Sequence, residues 1–174
     1  MLFNIITATC NNNGIGKNNS LPWPYNNSDM KLFYKLTVGN KNNAIIMGKN
    51  TFLSINKTLS NRVNIVISNT LNENDYPDVI IFKNILDCIK YCQLKNFEIV
   101  WVIGGEYIYK QFLNSNIINY IYETKIYQNY NCDKFFPIIP LKYNIHSIKK
   151  INNNPVSILI IWKRNNMFKY HNMD

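Results

Sequence analysis

Histidine is almost missing from this chain. Only His146 and His171 occur in 174 residues, which argues against a histidine-ligated metal site and against a Ser-His-Asp triad. The four cysteines, at 10, 88, 92 and 132, form no CxxC pair and no metal-ligand spacing. Cys88 and Cys92 stand one helical turn apart, where they pack as small hydrophobes, and a reduced, cytoplasmic compartment is expected. No apolar run approaches the roughly 20 residues that a membrane-spanning helix requires. The N-terminus lacks a basic region followed by an apolar core and a small-residue cleavage site, so no secretory leader is expected. Lysine and arginine outnumber acids by 19 to 10, yet they are scattered. A nucleic-acid-binding face needs clustered cations with interleaved aromatics, and the sequence has no such cluster. It has no internal repeat and no linker either.

What is present is ordinary for a packed globule: 47% hydrophobic and 14% aromatic residues. The length suits one domain, expected over 1–164, followed by a polar tail at 165–174. Strand-like runs fall at 2–8, 43–48, 63–68, 79–82, 98–104, 120–127, 143–151 and 157–163. The central ones are continuous Val/Ile runs, as in parallel strands buried on both faces. Segments of helical periodicity separate them at 28–38, 49–55, 85–95 and 106–114. This alternation predicts an α/β domain. Near the C-terminus the helices give out, and Asn152-Asn153-Asn154-Pro155 marks the turn of an antiparallel hairpin.

The stretch 14–33, GIGKNNSLPWPYNNSDMKLF, organises the rest. Two glycines let backbone approach a ligand, and LPWP is a stiff apolar corner. Asn26, Asn27 or Ser28 can cap the next helix. Asp29 begins an otherwise apolar face carrying Met30, Phe33, Leu36 and Thr37. Such an acid is either a first-turn residue favoured by the helix dipole or a polar anchor inside a pocket. Three further junctions present hydrogen-bonding groups at strand ends: Gly48-Lys49-Asn50-Thr51, Ser68-Asn69-Thr70 and Gly104-Gly105. Each alone is an ordinary turn. Together they gather anion-receptive backbone where ligands of α/β proteins bind.

GIGKNNSLPWP, Asp29 and Phe33, IIMGKNTF, Arg62 before VNIVIS, WVIGGEYIY, and YETKIY followed by FFP occur in an order that resembles dihydrofolate reductase over about 2–163. The resemblance implies an eight-stranded mixed, mostly parallel sheet flanked by about four helices. It implies an NADPH-dependent reduction of 7,8-dihydrofolate to tetrahydrofolate, supporting one-carbon metabolism. By position, Asp29 would hold the pterin, Thr124 would steady that carboxylate, and Ile6 and Ile103 would offer carbonyls at the pocket floor. Thr7, Leu21, Met30, Phe33, Ile55, Leu59 and Tyr109 would complete the substrate site, with Arg62 on the glutamate α-carboxylate. The loop 14–23 (Gly14, Ile15, Gly16, Lys17, Asn18, Asn19, Ser20, then Leu21 and Trp23) would close over the nicotinamide beside Ala8. Gly48, Lys49, Asn50, Thr51, Ser68, Asn69, Thr70 and Lys83 would face the adenosine phosphates. Gly104, Gly105, Glu106, Tyr107, Ile108 and Tyr109 would line the pyrophosphate and nicotinamide.

The chemistry implied by the resemblance is hydride delivery to a C=N bond with a proton to the nitrogen. A desolvated carboxylate favours the protonated ring, and water reaching N5 beside Leu21 and Trp23 can deliver the proton. Thr7 and Met30 stand where an apolar residue and an aromatic or leucine are common. Asn69 stands where many relatives have arginine. The resemblance further implies antifolate binding, no metal, no nucleic-acid or membrane partner, and a monomer. The alternatives are a reductase of another pterin or aminopyrimidine and, in a different class, a basic nucleic-acid-binding domain.

Overall fold

The structure is a computed structural model that describes residues 1–165. The tail expected at 165–174, including His171, lies outside the described residues from 166 onward.

Eight strands form one sheet in the order β5-β4-β3-β6-β1-β7-β10-β9. They are β1 (Leu2–Thr9), β3 (Asn43–Gly48), β4 (Val63–Ile67), β5 (Ile80–Phe82), β6 (Ile99–Gly104), β7 (Ile118–Ile126), β9 (Tyr143–Asn153) and β10 (Val156–Arg164). All neighbours from β5 to β7 pair in parallel, and β10 runs antiparallel to both β7 and β9. The mixed sheet and the terminal hairpin match the expectation. Beyond the expected strands there is a second sheet: β2 (Gly14–Gly16) pairs with β8 (Lys134–Phe135) and folds the loop after β1 onto the chain before β9.

Central strands are buried because their Val/Ile runs meet helices on both faces. One core gathers Phe3, Ile5, Val100 and Val102 against Cys88, Cys92, Phe112 and Leu113. The other gathers Ile6, Ile45, Met47 and Trp101 against Phe33, Leu36 and Phe52. The helices are α1 (Asn27–Val38), α2 (Lys49–Ile55), α3 (Ile85–Lys95) and α4 (Glu106–Asn114). Asn26 settles the choice of cap for α1, accepting from the Asp29 N–H at 3.2 Å, and Asn84 caps α3 through the Asp87 N–H at 3.0 Å. At the other ends, Asn56 and Asn96 adopt the left-handed conformation that terminates α2 and α3. Among the described residues, eight non-glycine positions have positive φ, and all but Lys41 are asparagine. Asparagine tolerates that region best among residues with a side chain, so this glycine-poor chain uses it for turns and caps.

Candidate active site

The C-terminal ends of β1, β3, β4 and β6 open onto one cleft of about 1330 Å³. Pockets for one drug-sized ligand measure roughly 300–1,000 Å³, so this cleft is larger than one such ligand needs. Five lysines line it (Lys49, Lys57, Lys83, Lys110 and Lys134) against two carboxylates, Asp29 and Glu106. Charge that looked scattered in the sequence therefore converges on one groove and favours anionic ligands.

The apolar lining at one end comes from β1 (Ile6), α1 (Met30, Phe33), the end of α2 and its turn (Ile55, Leu59) and β6 (Ile103), and Asp29 of α1 lines the same cleft. Burial raises the Asp29 carboxyl above its ordinary value, and the Thr124 hydroxyl acts in the opposite direction. β7 delivers Thr124 because its register sets Thr124 opposite Ala8 of β1. Tyr109 of α4 is buried, and its hydroxyl donates to the Ile6 carbonyl at 2.9 Å. Burial pushes the Tyr109 hydroxyl well up, Thr7 lowers it and Asp29 raises it, so it remains a proton donor at neutral pH. The Ile6 carbonyl at the pocket floor is thus already engaged through one lone pair, which leaves the other.

Arg62 stands beside this end, outside the cleft lining itself. Its Nε donates to the Ser60 carbonyl at 2.9 Å and its Nη1 to Thr37 Oγ1 at 2.7 Å. The guanidinium lies over Phe33 and Tyr34, 5.9 and 5.4 Å from the ring centroids. Two of its five N–H groups are used, and three remain for a carboxylate. Asn64 in β4 holds the preceding turn, bonding the Leu59 N–H and the Leu59 and Arg62 carbonyls. Tyr34 and Asn64 carry no motif that would have marked them, and Thr37, expected on the face that Asp29 begins, shows its role toward Arg62 only through this contact.

At the other end, α2 and α4 begin side by side. Gly48 and Gly105 are their N-caps, with no side chain capping either helix, so backbone N–H groups face the cleft. A Cβ on Gly48 would sit 3.0 Å from Ile108, and Gly104 has φ +125° with Tyr109 beneath it. Glycine is required at both, for close packing and for backbone conformation respectively. Lys49 Nζ donates to Thr70 Oγ1 at 2.7 Å, and Ser68 Oγ accepts from the Thr70 and Leu71 N–H groups. This donor set, cationic and rich in free N–H, fits a phosphorylated dinucleotide.

Of the expected residues, Ile15, Gly16, Asn19, Ser20 and Leu21 of the loop line the cleft with Ala8, Thr7, Asn50, Thr51, Asn69, Lys83, Tyr107 and the others named above. Gly14, Lys17, Asn18, Trp23, Arg62 and Thr124 do not. Lys17 and Ser20 bracket a tight turn whose two central asparagines have positive φ, and this turns Lys17 and Asn18 away. Trp23 is buried against Cys10, Ile126 and Tyr130 and roots the loop. Missed by the sequence reading were Ser54, Ile67, Asn84, Ile85, Leu86, Gln111 and three of the lysines, Lys57, Lys110 and Lys134. Lys134 enters through the β2–β8 pairing, a contact between distant segments.

The family model described as Dihydrofolate reductase matches residues 2–161. A viral dihydrofolate reductase of Saimiriine herpesvirus 2 (strain 488) is 38% identical over 152 residues, covering 82% of this chain and 71% of that relative. The Drosophila melanogaster dihydrofolate reductase is 37% identical over 147 residues, covering 79% and 80%. The Rattus norvegicus dihydrofolate reductase is 36% identical over 154 residues, covering 82% of each.

Proposed function

The chain belongs to the dihydrofolate reductase family, and from that membership we infer how its own residues carry the reaction. The enzyme reduces 7,8-dihydrofolate to 5,6,7,8-tetrahydrofolate with NADPH, as its family does. When bound, the cofactor supplies the hydride for the pterin C=N carbon.

Asp29 anchors the pterin. It lines the cleft with its carboxyl desolvated by burial, and this is the observation that carries the reading. A desolvated carboxylate gains more from the pterin's ring N–H and amine than a solvated one, and its charge favours protonation of the ring at N5. Thr124 orients it. Leu21, at the loop's exposed edge, leaves a route for the water that brings the proton to N5, with Trp23 holding the loop from behind. The Tyr109 hydroxyl fixes the Ile6 carbonyl so that its remaining lone pair meets the ring amine. Arg62 takes the α-carboxylate of the glutamate through its three free N–H groups. Met30, Phe33, Ile55 and Leu59 clasp the ring system and benzoyl group, and they make the same site receptive to antifolates.

Lys49, Asn50, Thr51, Ser68, Asn69, Thr70 and Lys83 hold the adenosine phosphates, with the lysines supplying the charge. The N-terminus of α4, from Gly104 to Ile108, receives the pyrophosphate. Gly14, Lys17 and Asn18 act from behind the cleft wall by shaping the loop. We place the activity on a monomer, one domain over residues 1–164, in the cytoplasm and with no nucleic-acid partner. A gel-filtration mass of two chains would oppose the first of these.

The test is direct. Dihydrofolate added to the purified protein and NADPH should bleach the reduced-nicotinamide band, and Asp29→Asn should abolish most of that loss. A protein that binds both ligands without oxidising NADPH would overturn the reading.

A further inference from the structure

Cys10 and Cys132 are 122 residues apart in sequence, yet their sulfurs lie 3.7 Å apart. Both are free thiols. Cys10 directly follows β1 and is fully buried, whereas Cys132 is partly exposed before β8. The Cys10 thiol donates to Asn12 Oδ1 at 2.8 Å, and the same oxygen accepts from the Gly14 N–H at 3.3 Å. Gly14 itself lies beneath the two sulfurs: a Cβ there would come within 2.2 Å of Cys132 Sγ and 3.0 Å of Cys10 Sγ. Next to Cys132, Asp133 is bonded to the loop twice, through its N–H to the Gly16 carbonyl and its carboxylate to the Asn18 N–H, both at 3.0 Å. Trp23, the loop's far root, packs in the same apolar cluster as both cysteines.

We propose that Cys10 and Cys132 form a reversible disulfide that fixes the loop 14–23 at its root. The oxidant is a low-molecular-weight disulfide, RSSR. The Cys132 thiolate attacks one sulfur of RSSR, forming a mixed disulfide and expelling the other half as thiolate. Cys10 then attacks Cys132 Sγ, forming the internal S–S bond and expelling the second half. Two electrons pass from the protein to RSSR, and the two cysteine protons end on two RSH molecules. The exposure of Cys132 and the burial of Cys10 set this order, since only Cys132 is open to the reagent. Forming the bond brings the sulfurs closer by roughly 1.7 Å, to a disulfide length of about 2.05 Å. That movement occurs against Gly14 and removes the Cys10 hydrogen from Asn12. Gly14 pairs with Phe135 of β8, so the bond acts on the β2–β8 pairing that positions the loop.

Burial and the adjacent Cys10 push the Cys132 thiol up to about 11, with the Asp133 carboxylate adding to the rise and the Lys17 ammonium opposing it. The pair thus reacts slowly near neutrality and roughly tenfold faster for each pH unit above it. Cys88 and Cys92 provide an internal contrast, since both are fully buried on α3 and neither meets solvent.

The experiment incubates the whole reduced protein with oxidised glutathione near neutral pH and in mild alkali, then maps peptides without reduction. The expected result is a Cys10–Cys132 linkage whose rate follows pH as above. Dihydrofolate-dependent turnover should fall roughly tenfold with it, because loop motion gates many such enzymes, and dithiothreitol should restore both. Cys132→Ser should form no linkage and keep its turnover in the oxidant. Cys10→Ala should stop at a glutathione adduct on Cys132. A lasting adduct on Cys132 of the unaltered chain, a Cys88–Cys92 linkage in place of the expected one, or complete linkage with unchanged turnover would each overturn the proposal. The linkage is read by mass and stands apart from the assigned activity; only the turnover effect rests on the reading of the loop given above.

Discussion

Arg62 is held by Thr37: Nη1 donates to Thr37 Oγ1 at 2.7 Å, while that hydroxyl donates to the Phe33 carbonyl at 2.7 Å. Thr37 is fully buried and one turn beyond Phe33 on α1, so the helix that supplies the apolar wall also sets the guanidinium. Thr37→Val, which keeps the shape and removes the bond, should raise KM for dihydrofolate by roughly 3- to 10-fold with kcat little changed. Arg62→Leu should raise it by about 10- to 10³-fold. Steady-state kinetics with a pterin that lacks glutamate should show neither effect; equal losses on both substrates would assign Arg62 a structural role.

Asp29→Asn should reduce kcat near neutral pH by roughly 10²-fold or more, since no other carboxylate lies at the apolar end of the cleft. The deficit should shrink in acid, where the substrate gains its proton from solvent. A pH profile of kcat for the two proteins decides this, and near-wild-type activity at neutrality would remove Asp29 from the mechanism.

The same substitution should stabilise the fold. Burial raises the Asp29 carboxyl above its ordinary 3.8, so the folded state binds that proton more tightly than the unfolded chain. Below both pKa values the carboxyl is neutral in each state and costs nothing extra. As pH rises from about 3.8 through the raised value, the folded state loses stability, and above that window the loss is constant. Asp29→Asn removes the penalty, so its Tm should exceed that of the unaltered protein at neutral pH and approach it below the window. A Tm difference independent of pH would show that ionisation is not its cause.

Cofactor choice tests the other end of the cleft. Asn69 offers a neutral donor where the family resemblance implies a guanidinium, a difference of roughly 1.5–3 kcal/mol if a charge-assisted bond is lost. Lys49, bonded to Thr70, and Lys83 line the cleft with it and would supply the charge in its place. Asn69→Arg should raise the ratio of kcat/KM for NADPH over NADH, and Lys49→Ala should lower it. Both changes should weaken in salt. A ratio near one in the unaltered protein would place these lysines away from the phosphate.

Asn96 ends α3 at φ 53° and ψ 46°, where glycine has no steric cost. Asn96→Gly should stabilise by up to about 1 kcal/mol, and Asn96→Ala should destabilise by about 1 kcal/mol. Denaturant midpoints of the two variants should therefore move in opposite directions.

Much of this protein was written locally. Val/Ile runs specified buried strands, and α2, α3 and α4 begin and end where the periodicity predicted. Asp29 was legible as an acid on an apolar helical face, and Gly48 and Gly104-Gly105 as uncapped helix starts, because these features depend only on neighbours within one element. What spacing cannot encode is the meeting of distant segments. The β2–β8 pairing needs residues 14–16 and 134–135 side by side, and neither stretch is long or apolar enough to announce a strand. That pairing brings Lys134 into the cleft and seats Cys10 against Cys132. Likewise, five lysines spread along the chain line one cleft only because the tertiary fold brings their separate elements together. Short-range chemistry determined the elements and their chemical groups; long-range register decided which of those groups face a ligand together.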